Sequence, residues 1–129
     1  MSAREKTFLI IDQNRESLVL IRNFLESFGL SNIHESCRLK EAFEILNEHS
    51  IDCVVCAWDL PEATSGFPLL KLLKLPESEQ KPVFILTSES NSFDKDKLIQ
   101  AAEQRVDGFL LKPFSRDTLE KLLKEKSLL

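Results

Sequence analysis

Ile51-Asp-Cys-Val-Val-Cys-Ala-Trp58 is an apolar run broken only by Asp52, and it stops at Asp59-Leu60-Pro61. A short run rich in β-branched and small residues, bounded by turn formers, predicts a strand buried on both faces. Working outward, the pattern repeats. Toward the N-terminus, Phe8-Leu-Ile-Ile11 ends at Asp12, and Asn32 to Cys37 gives a weaker strand. Toward the C-terminus, Val83 to Leu86 lies inside Pro82 to Thr87, and Val106 to Leu111 closes the series.

Helical periodicity fills the intervals. Leu18, Ile21, Leu25 and Phe28 recur at steps of three and four, with Gly29 where a helix C-cap is wanted. Leu39, Ala42, Phe43 and Leu46 form the next stripe. A loop over Asp59 to Gly66, broken by Pro61 and Gly66, leads to a helix with Pro68 in its first turn and an apolar face of Leu69, Leu70, Leu72 and Leu73, ending before Pro76. Asp94 to Arg105 predicts a fourth helix with Leu98, Ile99 and Ala102 facing inward. Ser115 caps a last helix carrying Leu119, Leu122 and Leu123.

Five strands alternating with five helices make an α/β chain, (βα)5, with a parallel sheet covered on both faces. Right-handed crossovers fix most of the topology, the flavodoxin-like order 2-1-3-4-5 is one of two common solutions at this size, and residues 1–129 suit one domain. In such sheets sites form beyond the carboxyl ends of the strands. The residues there are Asp12 and Gln13, Ala57 to Asp59, Thr87 and Ser88, and Lys112 with Pro113.

Composition narrows the function. A formal net charge of −4 disfavours nucleic acid and anionic membranes as partners. No apolar run approaches the roughly 18 residues that span a bilayer, and Met1 to Lys6 lacks a signal-peptide pattern, so a cytoplasmic location is expected. Cys53 and Cys56 spell C-x-x-C, but on a strand they point to opposite faces, so they are expected as buried small apolar residues rather than metal or redox ligands. His34 and His49 are lone surface histidines in sequence. Neither G-x-G-x-x-G, nor G-x-x-x-x-G-K-[ST], nor G-x-S-x-G occurs, so no nucleotide cradle or nucleophile elbow is indicated and an enzyme is not expected.

The strand-end segments carry a family resemblance. Phe8-Leu-Ile-Ile-Asp12, Cys53-Val-Val-Cys-Ala-Trp-Asp-Leu-Pro61, Val83-Phe-Ile-Leu-Thr87-Ser88-Glu89 and Gly108-Phe-Leu-Leu-Lys112-Pro113-Phe114 together resemble a response-regulator receiver domain of the chemotaxis kind. The likeness spans nearly the whole chain. It implies a domain of two-component, or phosphorelay, signal transduction. Receivers take a phosphoryl group from a histidine kinase onto an aspartate ending the third strand, with magnesium held by that residue and an acidic pair. A lysine and a hydroxyl bind the phosphoryl oxygens, and an aromatic residue relays the change. The Lys112–Pro113 bond is expected to be cis.

Carried over by position, Asp12 matches the first acid of the pair, Gln13 replaces the second, and Ala57 stands at the acceptor position. Thr87 and Lys112 match, with Ser88 beside the hydroxyl, and the switch aromatic is Phe109, without a hydroxyl. Alanine cannot accept phosphate. Each missing carboxylate removes about 8 kcal/mol of gross Coulomb attraction to a divalent ion, at about 4 Å and an effective dielectric of about 20. Magnesium binding is therefore expected to be weak or absent, no other cofactor is implied, and Lys112 is expected to pair with Asp12 in the metal's place.

The function expected on this footing is that of a stand-alone degenerate receiver, a phosphorylation-independent protein-interaction module. Its partner would be a signalling protein, either a histidine kinase or a downstream target. The face made by the fourth helix, fifth strand and fifth helix would serve partners or a homodimer. The alternative is a receiver that still takes part in a phosphorelay, through Asp59 or by anion binding at Thr87 and Lys112.

Overall fold

The structure, a computed structural model, describes residues 5–60, 67–89 and 95–129. In chain order the elements are β1 (Phe8–Ile11), α1 (Arg15–Ser27), β2 (Ile33–Ser36), α2 (Leu39–Glu48), β3 (Cys53–Ala57), α3 (Phe67–Leu73), β4 (Val83–Glu89), α4 (Lys95–Glu103), β5 (Gly108–Lys112) and α5 (Arg116–Glu125). The strands pair in parallel, as the alternation of runs and stripes predicts, and take the flavodoxin-like order β2-β1-β3-β4-β5. Residues 61–66 of the expected loop, with Pro61 and Gly66, and the expected helix start at Asp94 lie outside the described residues.

Side-chain alternation along the strands splits the core in two. Leu9, Ile11, Val54, Cys56, Phe84 and Leu86 face α2, α3 and α4. Phe8, Ile10, Cys53, Val55 and Ile85 face α1 and α5. The two cysteines of the C-x-x-C therefore lie on opposite sides of the sheet, as the two-residue period requires. Burial pushes both thiols well above their ordinary pKa, with nearby carboxylates adding to the shift, so neither is a ready thiolate.

Helix ends follow local chemistry. Asn14 caps α1 by accepting from the N–H groups of Glu16 and Ser17, and Ser115 caps α5 by accepting from that of Thr118. Gly29 takes φ +88° just past α1, where a side chain would be strained. At the end of α2 a long-range contact does the capping. The Gln80 side chain donates to the carbonyls of Leu46 (2.5 Å) and His49 (3.0 Å) and accepts from the Ile51 N–H (2.8 Å). It ties α2 to the entrance of β3.

Several expectations are corrected. On α4, Leu98 and Ile99 are 48% and 45% exposed and Ala102 is exposed, while Ala101 is buried. Apolar residues occupy so much of this short helix's circumference that periodicity does not fix its phase. Leu72 is half-exposed whereas Leu69, Leu70 and Leu73 are buried, because three residues at steps of one and three already fill the inward face of α3. β4 runs on to Glu89, beyond Thr87, and β5 starts only at Gly108, because the Val106 N–H closes the turn after α4 on the Ala101 carbonyl. His34 and His49 are not lone residues, as their contact described below shows. Among the described residues no helix is long and apolar enough to cross a membrane.

Candidate functional site

β1 delivers Asp12 to the carboxyl edge of the sheet. Its backbone N–H donates to Ser36 (3.0 Å), continuing the pairing with β2, and the residue is 2% exposed. One carboxylate oxygen, Oδ1, accepts the Asn14 N–H at 2.9 Å, the turn that swings the chain from β1 into α1. The other, Oδ2, accepts Lys112 Nζ at 2.5 Å, so the expected pair is present. Its side chains are 3% and 13% exposed. Lys112 comes from the end of β5, and its peptide bond to Pro113 is cis, as expected.

The ammonium has a second anionic neighbour, Glu89 Oε1 at 3.6 Å. Glu89 ends β4 and stands in register with Lys112. Sequence reasoning quoted Glu89 in its strand but gave it no role. The usable signal was its position two residues beyond Thr87, which returns it to the same sheet face once β4 continues that far.

Ala57 lies between Asp12 and Thr87. It is in register with Thr87, while Ile11 pairs with Cys56 just before it. It is buried and presents only a methyl group. The Trp58 N–H donates to the Thr87 carbonyl at 2.7 Å, which holds the ends of β3 and β4 together. Thr87 is 1% exposed, and its hydroxyl has no hydrogen-bond partner among the described residues. A buried hydroxyl in that condition is unusual and has a measurable cost. Ser88 is buried, its hydroxyl directed to the Glu89 carbonyl at 3.5 Å. Gln13 and Asp59 are exposed, and Phe109 is half-buried against the core that faces α2, α3 and α4. The site thus gathers Asp12, Ala57, Thr87, Lys112 and Glu89, while Ser88 bonds only its neighbour's carbonyl and the Gln13 and Asp59 side chains remain in solvent.

A hard divalent cation takes several oxygen ligands. One Asp12 oxygen holds an ammonium, the other a backbone N–H, and the Ala57 side chain brings no oxygen. No group of three or more potential metal-ligating side chains occurs among the described residues.

Away from this edge, the His34 and His49 rings stack with centroids 4.2 Å apart and planes inclined by 30°. They come from β2 and the end of α2, a proximity that no local spacing reveals. His34 has a lowered pKa, from burial first, then from the neighbouring His49 and Arg22. A histidine lowered in the folded state binds its proton later than the unfolded chain does. Its contribution to stability is thus complete above pH about 6.5 and declines as the pH falls below that value. Replacing His49 with glutamine should move the His34 midpoint upward in an NMR titration of its ring protons. An unchanged midpoint would assign the whole shift to burial and Arg22.

A family model described as the response regulator receiver domain matches residues 8–124, from the first residue of β1 to within one residue of the end of α5. The chain is 30% identical over 116 residues to the chemotaxis protein CheY-3 of Vibrio cholerae, covering 89% of this chain and 86% of the relative. It is 29% identical over 118 residues to the chemotaxis protein CheY of Pseudomonas aeruginosa, covering 91% and 92%. A CheY-like receiver domain protein from Methanospirillum hungatei superposes with a TM-score of 0.80 at 20% identity, covering 95% of this chain and 94% of the other, a likeness of fold. Since the matched span runs through every strand, the chain belongs to the response regulator receiver domain family of two-component signalling.

Proposed function

We propose that this chain works as a phosphorylation-independent receiver, an interaction module whose output does not need an aspartyl phosphate. One observation carries the reading: Ala57, buried at the end of β3 between Asp12 and Thr87, has no group that can accept a phosphoryl. The Asp12–Lys112 pair supports it, since two charges that satisfy each other at a buried edge leave little for magnesium to gain. On this reading Ala57 is the inactive acceptor position, and Asp12, Gln13, Asp59, Thr87, Ser88 and Lys112 are what remains of the receiver site. Phe109 holds the switch position and, lacking a hydroxyl, stays in its packed state. The module is cytoplasmic, catalyses nothing itself and acts by binding a signalling protein. The exposed Leu98 and Ile99 favour the face of α4, β5 and α5 for that partner or for a second copy.

A second reading keeps the site responsive to an anion, and the unpartnered Thr87 hydroxyl is what favours it. A free oxyanion bonded to Thr87 would have to draw Lys112 from Asp12. Relay through Asp59 would need its exposed side chain to turn inward.

Amide-shift titration with magnesium, then with magnesium plus beryllofluoride, tests the proposal. The expected result is no saturable shift at Asp12, Ala57, Thr87 or Lys112, and no change in Trp58 fluorescence. Saturable shifts that spread to Phe109 would overturn it in favour of the second reading.

A further inference from the structure

One cavity lies far from this site. It is a trough of about 600 Å³ between the C-terminal halves of α2 and α3, at the amino-terminal edge of the sheet. That volume falls in the range of ligand-binding clefts, roughly 300–1,000 Å³. Its apolar lining is Phe43 and Leu46 from α2 with Leu69, Leu72 and Leu73 from α3. Leu46, Leu69 and Leu73 are buried and form the floor, whereas Leu72 is 51% exposed. The floor is fixed in place, because Gln80 uses its whole side-chain amide on Leu46, His49 and Ile51.

The rim has one sign of charge. The carboxylates lining the trough are Glu48 and Glu79, and no lysine or arginine lines it among the described residues. The nearby Lys81 is committed elsewhere, its ammonium donating to the carbonyls of Leu73 and Leu75 at the end of α3. Lys74 pairs with Asp107 at 3.8 Å.

We infer that the α2–α3 trough is a docking site for a short segment of a protein partner that presents a large apolar side chain flanked by lysine or arginine. The apolar floor receives the side chain and the Glu48 and Glu79 rim meets the basic flank. This is the helix-in-groove form of recognition, with charge setting orientation and approach. A small polar metabolite fits less well, since the Gln80 amide at the trough's polar end is already bonded within the chain. The inference does not depend on the state of Ala57, because it concerns the opposite edge of the sheet.

Selection of a phage-displayed library of short random peptides on the full chain tests it. The expected outcome is enrichment of sequences with a leucine, isoleucine or phenylalanine beside a lysine or arginine. A synthetic winner should shift the amides of Phe43, Leu46 and Leu72, and bind more weakly as salt rises. Leu72→Asp should weaken it by about tenfold. The side chain is half-exposed, so the variant should keep its amide spectrum, and Glu48→Lys provides a second variant that leaves the apolar floor intact. The proposal is overturned by no enrichment, by acidic winners, by shifts mapping elsewhere, or by unchanged affinity in Leu72→Asp. It is equally overturned, in favour of a second copy as occupant, if sedimentation shows self-association that Leu72→Asp abolishes.

Discussion

Lys112→Met is expected to lower the unfolding free energy by about 3–5 kcal/mol, the usual cost of stranding one member of a buried ion pair. Asp12 would keep its bond from the Asn14 N–H, but its Oδ2 would face a methionine at 3% exposure. The reverse truncation should cost less. After Asp12→Asn the ammonium still has Glu89 at 3.6 Å, on a side chain 48% exposed. The double variant should recover much of the loss, since an amide and a thioether leave no uncompensated charge. Urea unfolding of the three variants checks this, with unchanged denaturant slopes showing that stability alone has altered. A Lys112→Met cost below about 1 kcal/mol would mean that the pair behaves as a surface salt bridge.

The same pair shows how much of the molecule could be read before any coordinates. β1, β3 and β4 are buried on both faces, so each is written as a near-continuous apolar run, and a run of that kind has few alternative structures. The strand-end residues follow directly, because a parallel sheet fixes which end of each run is the carboxyl edge. Asp12 and Lys112 are 100 positions apart, yet their meeting was legible from topology and from the cost of leaving either charge alone. What failed to show was anything decided by rotation or by distance across the surface. The pattern of α4 is compatible with more than one phase, and the small Ala101, not Leu98 or Ile99, turned inward. The contact of His34 with His49 depends on how the end of α2 settles beside the edge strand β2, which neither segment encodes by itself. Glu89 escaped for a simpler reason, since its role required β4 to outlast the apolar run that defined it.

Ala57→Asp should produce the largest functional change of any single substitution. It puts a second carboxylate at the carboxyl edge beside Asp12, in register with Thr87. Gross attraction to a divalent ion rises by about 8 kcal/mol at an effective dielectric of about 20. Most of that is offset by dehydration of the ion and by release of Lys112 from Asp12. A residual of only about 1.4 kcal/mol already means tenfold, so magnesium affinity should rise by about tenfold or more. Without magnesium the variant should melt below the wild type, because the new carboxylate occupies a position 5% exposed and competes with Asp12 for one ammonium. Added magnesium should restore the melting temperature in Ala57→Asp and leave the wild type unmoved. With acetyl phosphate and magnesium, mass spectrometry should find a phosphoryl adduct on the variant alone, with the Thr87 hydroxyl and Lys112 available to bind the transferred oxygens. An adduct on the wild type would instead direct attention to Asp59, where Asp59→Asn decides whether that exposed carboxylate is the acceptor. If Ala57→Asp gains neither metal affinity nor adduct, the exposed Gln13 becomes the limiting position, since one acid from β1 is then too few to hold the ion.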